Sequence, residues 1–379
     1  MMIYLDNAAT TYPKPRAVLK AITRYMDECG GNPGRGSHTM AVRAAECVYA
    51  ARETVAEFFS VDDPAKVVFT MNTTYALNTA IKSVAAHGDH FLMGNMEHNS
   101  VRRPMERLAG DGVIEYDIFD VRGDAELITE RLSSLVRPNT RAVVCAHASN
   151  ICNITAPIYE IGEFCRQRGI VFIVDAAQSA GVMELDLSKI HVDFLCAPGH
   201  KALYGPQGCG VMVVNHNGAK HLKTLVEGGS GIHSLEKDMP DDLPEHFEAG
   251  TLPAPAIAGL REGVKWVQKT GIQAIHEHEC ALWSRAYTDL CYMKGVRVYD
   301  NTPGSILLFN ADHFPPSRLA AELSRAGICT RSGLHCAPLA HDVLRTGADG
   351  AVRVSFGAMN TLKDVGRFVD VLHGILRSQ

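Results

Sequence analysis

No Cys-x-x-Cys pair occurs in this chain, although it contains 11 cysteines. An odd number of thiols at scattered spacings fits neither a zinc ribbon nor a disulfide framework, so a reducing, cytoplasmic home is expected. No run is long and apolar enough to span a bilayer. The opening "MMIYLDNAATTYPKP" has no basic segment leading into an apolar one, so neither a signal peptide nor a membrane partner is expected. The net charge of −5 is spread over interspersed acids and bases. Without a basic stripe or polybasic arm there is no electrostatic footprint for nucleic acid. No Gly-x-Gly-x-x-Gly follows a strand-like run and no P-loop is present, which discounts a nicotinamide enzyme and a P-loop nucleotidase. Low-complexity tracts and internal repeats are absent.

What is present is ordinary globular composition: 379 residues, 46% hydrophobic and 21% charged. That length suits a large core plus a second unit. Through the middle, short apolar runs alternate with helical patterns, as βαβ units do. "KVVFT", "HFLMGN", "IEYDIF", "RAVVCAHASN", "GIVFIVDAAQ", "VDFLCAPG" and "GCGVMVVN" read as seven strands, and "YALNTAIKSVAA" as a helix after the first. The pattern predicts an α/β fold with a mainly parallel seven-stranded sheet covered on both faces. Near "EAGTLPAPAIAGL" the text changes. Amphipathic helices and strands such as "GSILLFN" then predict a smaller α+β unit. Residues 15–260 are expected to form the large domain, and 1–14 with 261–379 the small one.

In open α/β sheets ligands sit outside the carboxyl ends of the strands. Asn150, Asp175, Gln178, His200 and Lys201 all follow strand-like runs and can converge there. Each has an ordinary explanation alone: Asp175 as a helix cap, Lys201 as a solvated surface lysine. Together they suit pyridoxal phosphate. A lysine amine forms a Schiff base with its aldehyde, a carboxylate keeps its ring nitrogen protonated, and an amide can bond its ring hydroxyl. "MNTTYALN" puts Thr73 and Thr74 where a strand passes into a helix, which makes an anion site or a plain N-cap. His98, in "NMEHNSV", can stack on a cofactor ring and pass protons, or be a loop histidine. Arg353, in the strand-like "AVRVSF", needs an anionic partner, either a protein carboxylate or a substrate carboxylate. "IHEHEC" places His276 and Cys280 on one helical face, with His278 turned away. Two ligands on a charged helix are a solvated face rather than a metal site, and none is expected.

These pieces, in this order, resemble the class V, fold-type I pyridoxal-phosphate enzymes, and among them the cysteine desulfurases and selenocysteine lyases. The resemblance runs from "YLDNAATTYPKP" to "VRVSFGAMNTLKDVGRFV". It is most specific in "DAAQSAG", "GHKALYGPQGCG", "FEAGT" and "RSGLHCAP". It implies that Lys201 is the Schiff-base lysine, Asp175 the ring-nitrogen partner, and Gln178 and Asn150 contacts to ring hydroxyl and substrate. His98 becomes the stacking histidine, and Thr73, Thr74 and His200 become phosphate ligands. Arg353 becomes the carboxylate anchor, with Asn7 and Arg331 nearby. Thr251 would reach the phosphate of a neighbouring subunit, which implies a homodimer.

Cys336 aligns with the persulfide-forming cysteine. In the implied reaction Lys201 removes the substrate's α-proton. The Cys336 thiolate then attacks sulfur or selenium, leaving a persulfide and alanine, and a sulfur-acceptor protein follows. His335 and Arg331 are expected to supply positive charge for the thiolate. The other ten cysteines, such as Cys145 and Cys196, read as buried apolar residues. Two departures from the family pattern stand out: Pro198 where a serine precedes "GHK", and Ala202 as an extra residue after the lysine. They leave open whether cysteine, selenocysteine, cysteine sulfinate or a modified cysteine is preferred. The alternatives are an aminotransferase or epimerase of the same class with Cys336 not catalytic, and a cofactor-holding sensor.

Overall fold

A computed structural model describes residues 2–34, 36–215, 217–221 and 223–378. Seven strands form its larger sheet: β1 Val67–Thr70, β2 Asp89–Gly94, β3 Ile114–Phe119, β4 Thr140–Ala146, β5 Val171–Asp175, β6 Phe194–Pro198 and β7 Gly210–Val214. Their order is β1-β7-β6-β5-β4-β2-β3. All run parallel except β7, which is antiparallel to both its neighbours. The central strands are buried on both faces, as their largely apolar text, VFIVD and FLCAP, requires. Alternate residues feed two cores. Val143, Phe172, Val174 and Leu195 face one, against the helices Thr39–Phe58, Ala125–Leu135, Ile158–Arg168 and Ala254–Thr270. Val144, Ile173, Phe194 and Cys196 face the other, against the helices Thr73–Val84 and Asn99–Gly110.

A second, antiparallel sheet has the order β10-β11-β9-β8, from β8 Val296–Val298, β9 Ile306–Ala311, β10 Arg331–Gly333 and β11 Ala351–Ser355. The helices Ile272–Cys291, Pro316–Arg325 and Leu362–Arg377 cover it around Leu282, Phe309, Leu323 and Phe368. The N-terminal segment belongs to this layer. Ile3–Tyr4 pairs in parallel with Ile328–Cys329, and Asp6 bridges to Ser355. It then crosses to the larger sheet, where the Thr11 N–H donates to the His200 carbonyl at 3.1 Å. The expected domain boundary at residue 260 lies inside the helix Ala254–Thr270. Ile257, Leu260 and Val264 of that helix are buried in the first core. The helical direction changes only at Gly271, φ 91°. Among the described residues no helix is long and apolar enough to cross a membrane.

Candidate active site

The carboxyl ends of β1, β2, β4, β5 and β6 open into one cavity of about 210 Å³, closed from the other side by β10, β11 and the turn that carries Cys336. It collects most of the residues singled out in the sequence. Thr73, Thr74, His98, Asn150, Asp175, Gln178, His200, Lys201, Arg331, Arg353 and Cys336 all line it.

Asp175 ends β5, and its Oδ1 accepts from the Ala177 N–H at 2.8 Å. Burial pushes its carboxyl above the usual range, opposed by that bond and by the charge of Lys201. No basic side chain lies within ion-pair distance of it among the described residues. Lys201 follows β6 in the turn 199–205, which is closed by Tyr204 N–H to Lys201 O (2.9 Å) and Gly205 N–H to Gly199 O (2.7 Å). Burial lowers its amine to about 8; Asp175 opposes this, while Arg353 and Arg331 add to it. In the same turn, two residues after Ala202, Tyr204 takes a left-handed conformation at φ 55°. Gly181 packs against the Ala202 carbonyl so closely that a Cβ there would lie 2.2 Å from it. "DAAQSAG" and "GHKALYG" are thus two sides of one turn. Lys14 braces it from behind, its Nζ donating to the His200 carbonyl at 2.5 Å and to Thr11 Oγ1 at 2.6 Å.

At one end of the cavity the helix Thr73–Val84 begins. Asn72 caps it by accepting from the Tyr75 N–H at 3.0 Å, which starts the helix two residues before "YALN". Buried Thr73 Oγ1 has no hydrogen-bond partner there, and neither has buried His200 Nδ1. Thr74 Oγ1 pairs with Ser100 Oγ at 2.8 Å, and Ser100 Oγ with His98 Nδ1 at 2.7 Å. Ser100 thus fixes the imidazole, a role the sequence reading missed; its signal was a serine at His+2 where a helix starts. Burial, then Lys201 and the nearby arginines, lower His98 to about 4, so the ring is neutral near pH 7. Pro198 ends β6 on the cavity wall, where a serine would have placed a hydroxyl.

At the other end Arg353 is buried in β11. One guanidinium nitrogen donates to the Asn150 carbonyl at 2.7 Å and another to Asp6 Oδ1 at 2.9 Å, while Nε has no partner. The anionic partner is therefore a protein carboxylate, 347 residues away in sequence. Arg331 sits directly opposite in β10. Asn150 donates its Nδ2 to the His335 carbonyl at 2.8 Å, which leaves buried Oδ1 unpaired.

His335 and Cys336 are consecutive left-handed residues, at φ 50° and 57°. The turn is pinned by that Asn150 bond and by Asn99 N–H to Cys336 O at 2.7 Å. It presents an exposed thiol to the cavity. Among the described residues Cys336 is the one cysteine there. Cys145 and Cys196 are fully buried in β4 and β6, and burial pushes their thiols well up. The expectation that His335 supplies positive charge is corrected. Burial first, then the Arg353 charge and His341, drive it down to about 2, so it is a neutral imidazole.

Two residues are not brought to the cavity. Asn7 spends its amide on the chain: Nδ2 donates to Ser355 O and Asn360 Oδ1, both at 3.0 Å, and Oδ1 accepts from the Tyr12 N–H at 3.3 Å. Thr251 lies on an exposed segment lining a different cavity of about 700 Å³, with Asn32 and Glu248. That segment is anchored by a buried pair. The Arg52 guanidinium makes two 2.8 Å bonds to Glu248, which also accepts from the Phe69 N–H at 2.7 Å. His276 and Cys280 do meet, at 3.5 Å, and His278 turns to the Asn360 carbonyl. Among the described residues no group of three or more His, Cys, Asp or Glu is placed to hold a metal ion.

The aminotransferase class-V family matches residues 3–368. The chain belongs to that family. The chain is also similar to proteins named probable cysteine desulfurase. The one from Methanothermobacter thermautotrophicus is 33% identical, over 98% of this chain and 94% of its own; the one from Pyrococcus abyssi is 31% identical, over 100% and 95%. Among solved structures, the apo cysteine desulfurase of Thermococcus onnurineus superposes with a TM-score of 0.90 at 30% identity, covering 100% of this chain and 95% of the other. The Escherichia coli cysteine desulfurase CsdA, in an S-sulfonic acid form, gives 0.89 at 26%, again over 100% and 95%. The fold is that of the fold-type I enzymes, end to end.

Proposed function

We propose that the protein is a pyridoxal-phosphate-dependent cysteine desulfurase. It takes sulfur, or selenium, from cysteine or selenocysteine, forms alanine and holds the chalcogen as a persulfide on Cys336. The observation that carries this reading is the sharing of one cavity by the Lys201 amine, the Cys336 thiol, buried Asp175 and the Arg353 guanidinium.

The cavity suits the cofactor. Asp175 is a buried carboxylate lacking a cation, which a pyridinium N–H supplies. Unpartnered Thr73 Oγ1 and His200 Nδ1, with the free N–H groups of a helix N-terminus, suit a phosphate monoester. When bound, the group offers an aldehyde that captures amines and a ring that takes up electrons from the substrate α-carbon.

The chain's own residues do the rest. Lys201, at about 8, is partly unprotonated near neutral pH and can take the α-proton. Arg353 Nε and the Arg331 guanidinium bind the substrate carboxylate, while Asp6 holds Arg353 in place. His98, locked by Ser100, stacks as a neutral ring. Cys336 Sγ attacks the substrate sulfur; the S–S bond forms as the C–S bond breaks. Its exposure at the rim leaves the persulfide within reach of an acceptor thiol. Thr251, outside the catalytic cavity of its own subunit, serves the phosphate of a second copy in a homodimer and so makes good the hydroxyl missing at Pro198. Eleven free thiols suit a reducing cytoplasm.

Borohydride reduction of the reconstituted protein, followed by peptide mapping, is expected to label Lys201. Cys336→Ala should keep that label and lose sulfide release. A label on another lysine, or sulfide release that survives the substitution as in an aminotransferase side reaction, overturns the proposal.

A further inference from the structure

The N-terminal segment is bonded to both walls of the catalytic cavity. On one wall it joins β11. The Ser355 N–H donates to the Leu5 carbonyl at 2.8 Å, the Ala8 N–H to Ser355 Oγ at 2.9 Å, and Arg353 to Asp6 Oδ1 at 2.9 Å. On the other wall it holds the turn after β6. The Thr11 N–H donates to the His200 carbonyl at 3.1 Å, and Thr11 Oγ1 donates to the Lys201 carbonyl at 2.9 Å. Lys14 Nζ donates to that same hydroxyl at 2.6 Å, which leaves the hydroxyl proton for Lys201. Between the two walls the Ala8 carbonyl accepts from Gln178 Nε2 at 3.1 Å.

The stretch from Asp6 to Thr11 is held taut. The Ala9 N–H donates to the Asp6 carbonyl at 3.1 Å, the Tyr12 N–H to Asn7 Oδ1 at 3.3 Å, and the Tyr4 hydroxyl to the Thr10 carbonyl at 2.9 Å. Asn7, Ala8 and Thr11 are buried. The Ala358 N–H also reaches the turn, at the Tyr204 hydroxyl (2.9 Å), but that is a side chain at its far end. Among the described residues, the bonds that reach the His200 and Lys201 carbonyls from outside the turn all come from Thr10, Thr11 and Lys14.

Proton removal from the substrate requires its α-carbon to face Lys201 while its carboxylate rests on Arg353. Those two groups stand on different sheets, and a misplacement of about 1 Å costs about a hundredfold in rate. We propose that Asp6–Thr11 is an alignment tie that sets Lys201 against the carboxylate anchor, with Thr11 the positioning residue at the lysine end. This rests on the desulfurase reading. Thr11 touches the lysine backbone and none of the reacting atoms. Its effect is therefore on where the amine stands.

The test uses the holoenzyme with cysteine and with α-deuterated cysteine. Thr11→Val removes the hydroxyl at nearly constant volume. It should lower kcat at least about tenfold, leave KM within about threefold, and raise the α-deuterium isotope effect as proton removal becomes limiting. Thr11→Ser should restore both kcat and the isotope effect. Asp6→Asn loosens the other end and should lower kcat/KM about tenfold. Because one tie serves both ends, the double variant should lose about tenfold, whereas independent contacts would lose about a hundredfold. Losses that multiply, a Thr11→Val enzyme within about twofold of wild type, or a Thr11→Ser enzyme as slow as Thr11→Val overturns the tie. Hydrogen exchange of the substrate-free holoenzyme reads it without turnover. Asp6→Asn should speed exchange in residues 199–205, and Thr11→Val in residues 351–355, each at the end remote from the substitution. Faster exchange at the near end alone overturns the tie. A wild-type enzyme that forms no alanine from cysteine removes the desulfurase reading instead, and the exchange result then decides the tie by itself.

Discussion

Glu248→Gln should be among the most damaging conservative changes in the molecule, although Glu248 does not line the proposed catalytic cavity. The carboxylate is buried and accepts three hydrogen bonds, two from Arg52 and one from the Phe69 N–H. Arg52 also donates to the Val67 carbonyl and lies 4.7 Å from the Phe69 ring centroid. Burial raises the Glu248 carboxyl despite the guanidinium, so the pair as a whole adds little to stability. Removing one partner is different, because it leaves a buried charge uncompensated. That costs about 3–5 kcal/mol. At roughly 2 °C per kcal/mol for a chain of this size, Tm should fall by about 6–10 °C. Thr251 lies three residues beyond, so cofactor retention in the proposed dimer should weaken too. Thermal unfolding of holoprotein, followed by circular dichroism and by the visible cofactor band, reads both effects. The double change Arg52→Met with Glu248→Leu should recover part of the lost Tm, since an apolar pair of similar volume leaves no buried charge, although the Phe69 N–H and the Val67 carbonyl lose these partners. A single variant that melts within 1–2 °C of wild type (roughly 1 kcal/mol or less), or a double variant worse than the single, refutes the reasoning.

Glu279 is buried in the helix Ile272–Cys291, and burial raises its carboxyl to about 8 from its ordinary 4.5. The folded state therefore holds a proton that the unfolded state has lost between those values, and stability from this group falls as pH rises through the window. Glu279→Gln should stabilise the protein by about 1.4 kcal/mol more for each pH unit from 4.5 to 8, seen as a growing Tm difference; a difference constant with pH refutes it. Gly181→Ala places a methyl against the Ala202 carbonyl at a backbone φ of 101°. The cost should exceed about 2 kcal/mol, and the displaced Lys201 turn should take up little cofactor on titration; normal uptake contradicts the placement.

The inner strands of the larger sheet were readable because each carries an apolar run followed by polar residues, and that same punctuation exposed Asp175, Asn150 and Lys201; the edge strand β3, with Glu115 and Asp117 inside it, is apolar only in part. The antiparallel course of β7 carried no such signal, since "GCGVMVVN" reads alike in either direction. What stayed hidden depends on partners distant in sequence. Asp6 meets Arg353 and Glu248 meets Arg52 only after folding, across 347 and 196 residues. The neutrality of His335 was illegible for the same reason. Its sequence neighbours suggest a cation beside a thiol, but burial against Arg353 and His341 decides otherwise. Asn7 looked like a site residue because it travels with "YLDNAAT", yet its amide ties the N-terminal segment to Ser355 and Asn360.

The most direct measurement is mass mapping of the reconstituted protein, quenched with an alkylating agent after one turnover with cysteine. The account predicts one added sulfur atom on the Cys336 peptide, one alanine per subunit, and neither in Lys201→Ala. An unmodified Cys336 alongside alanine release, or the extra sulfur on any of the other cysteines, contradicts it.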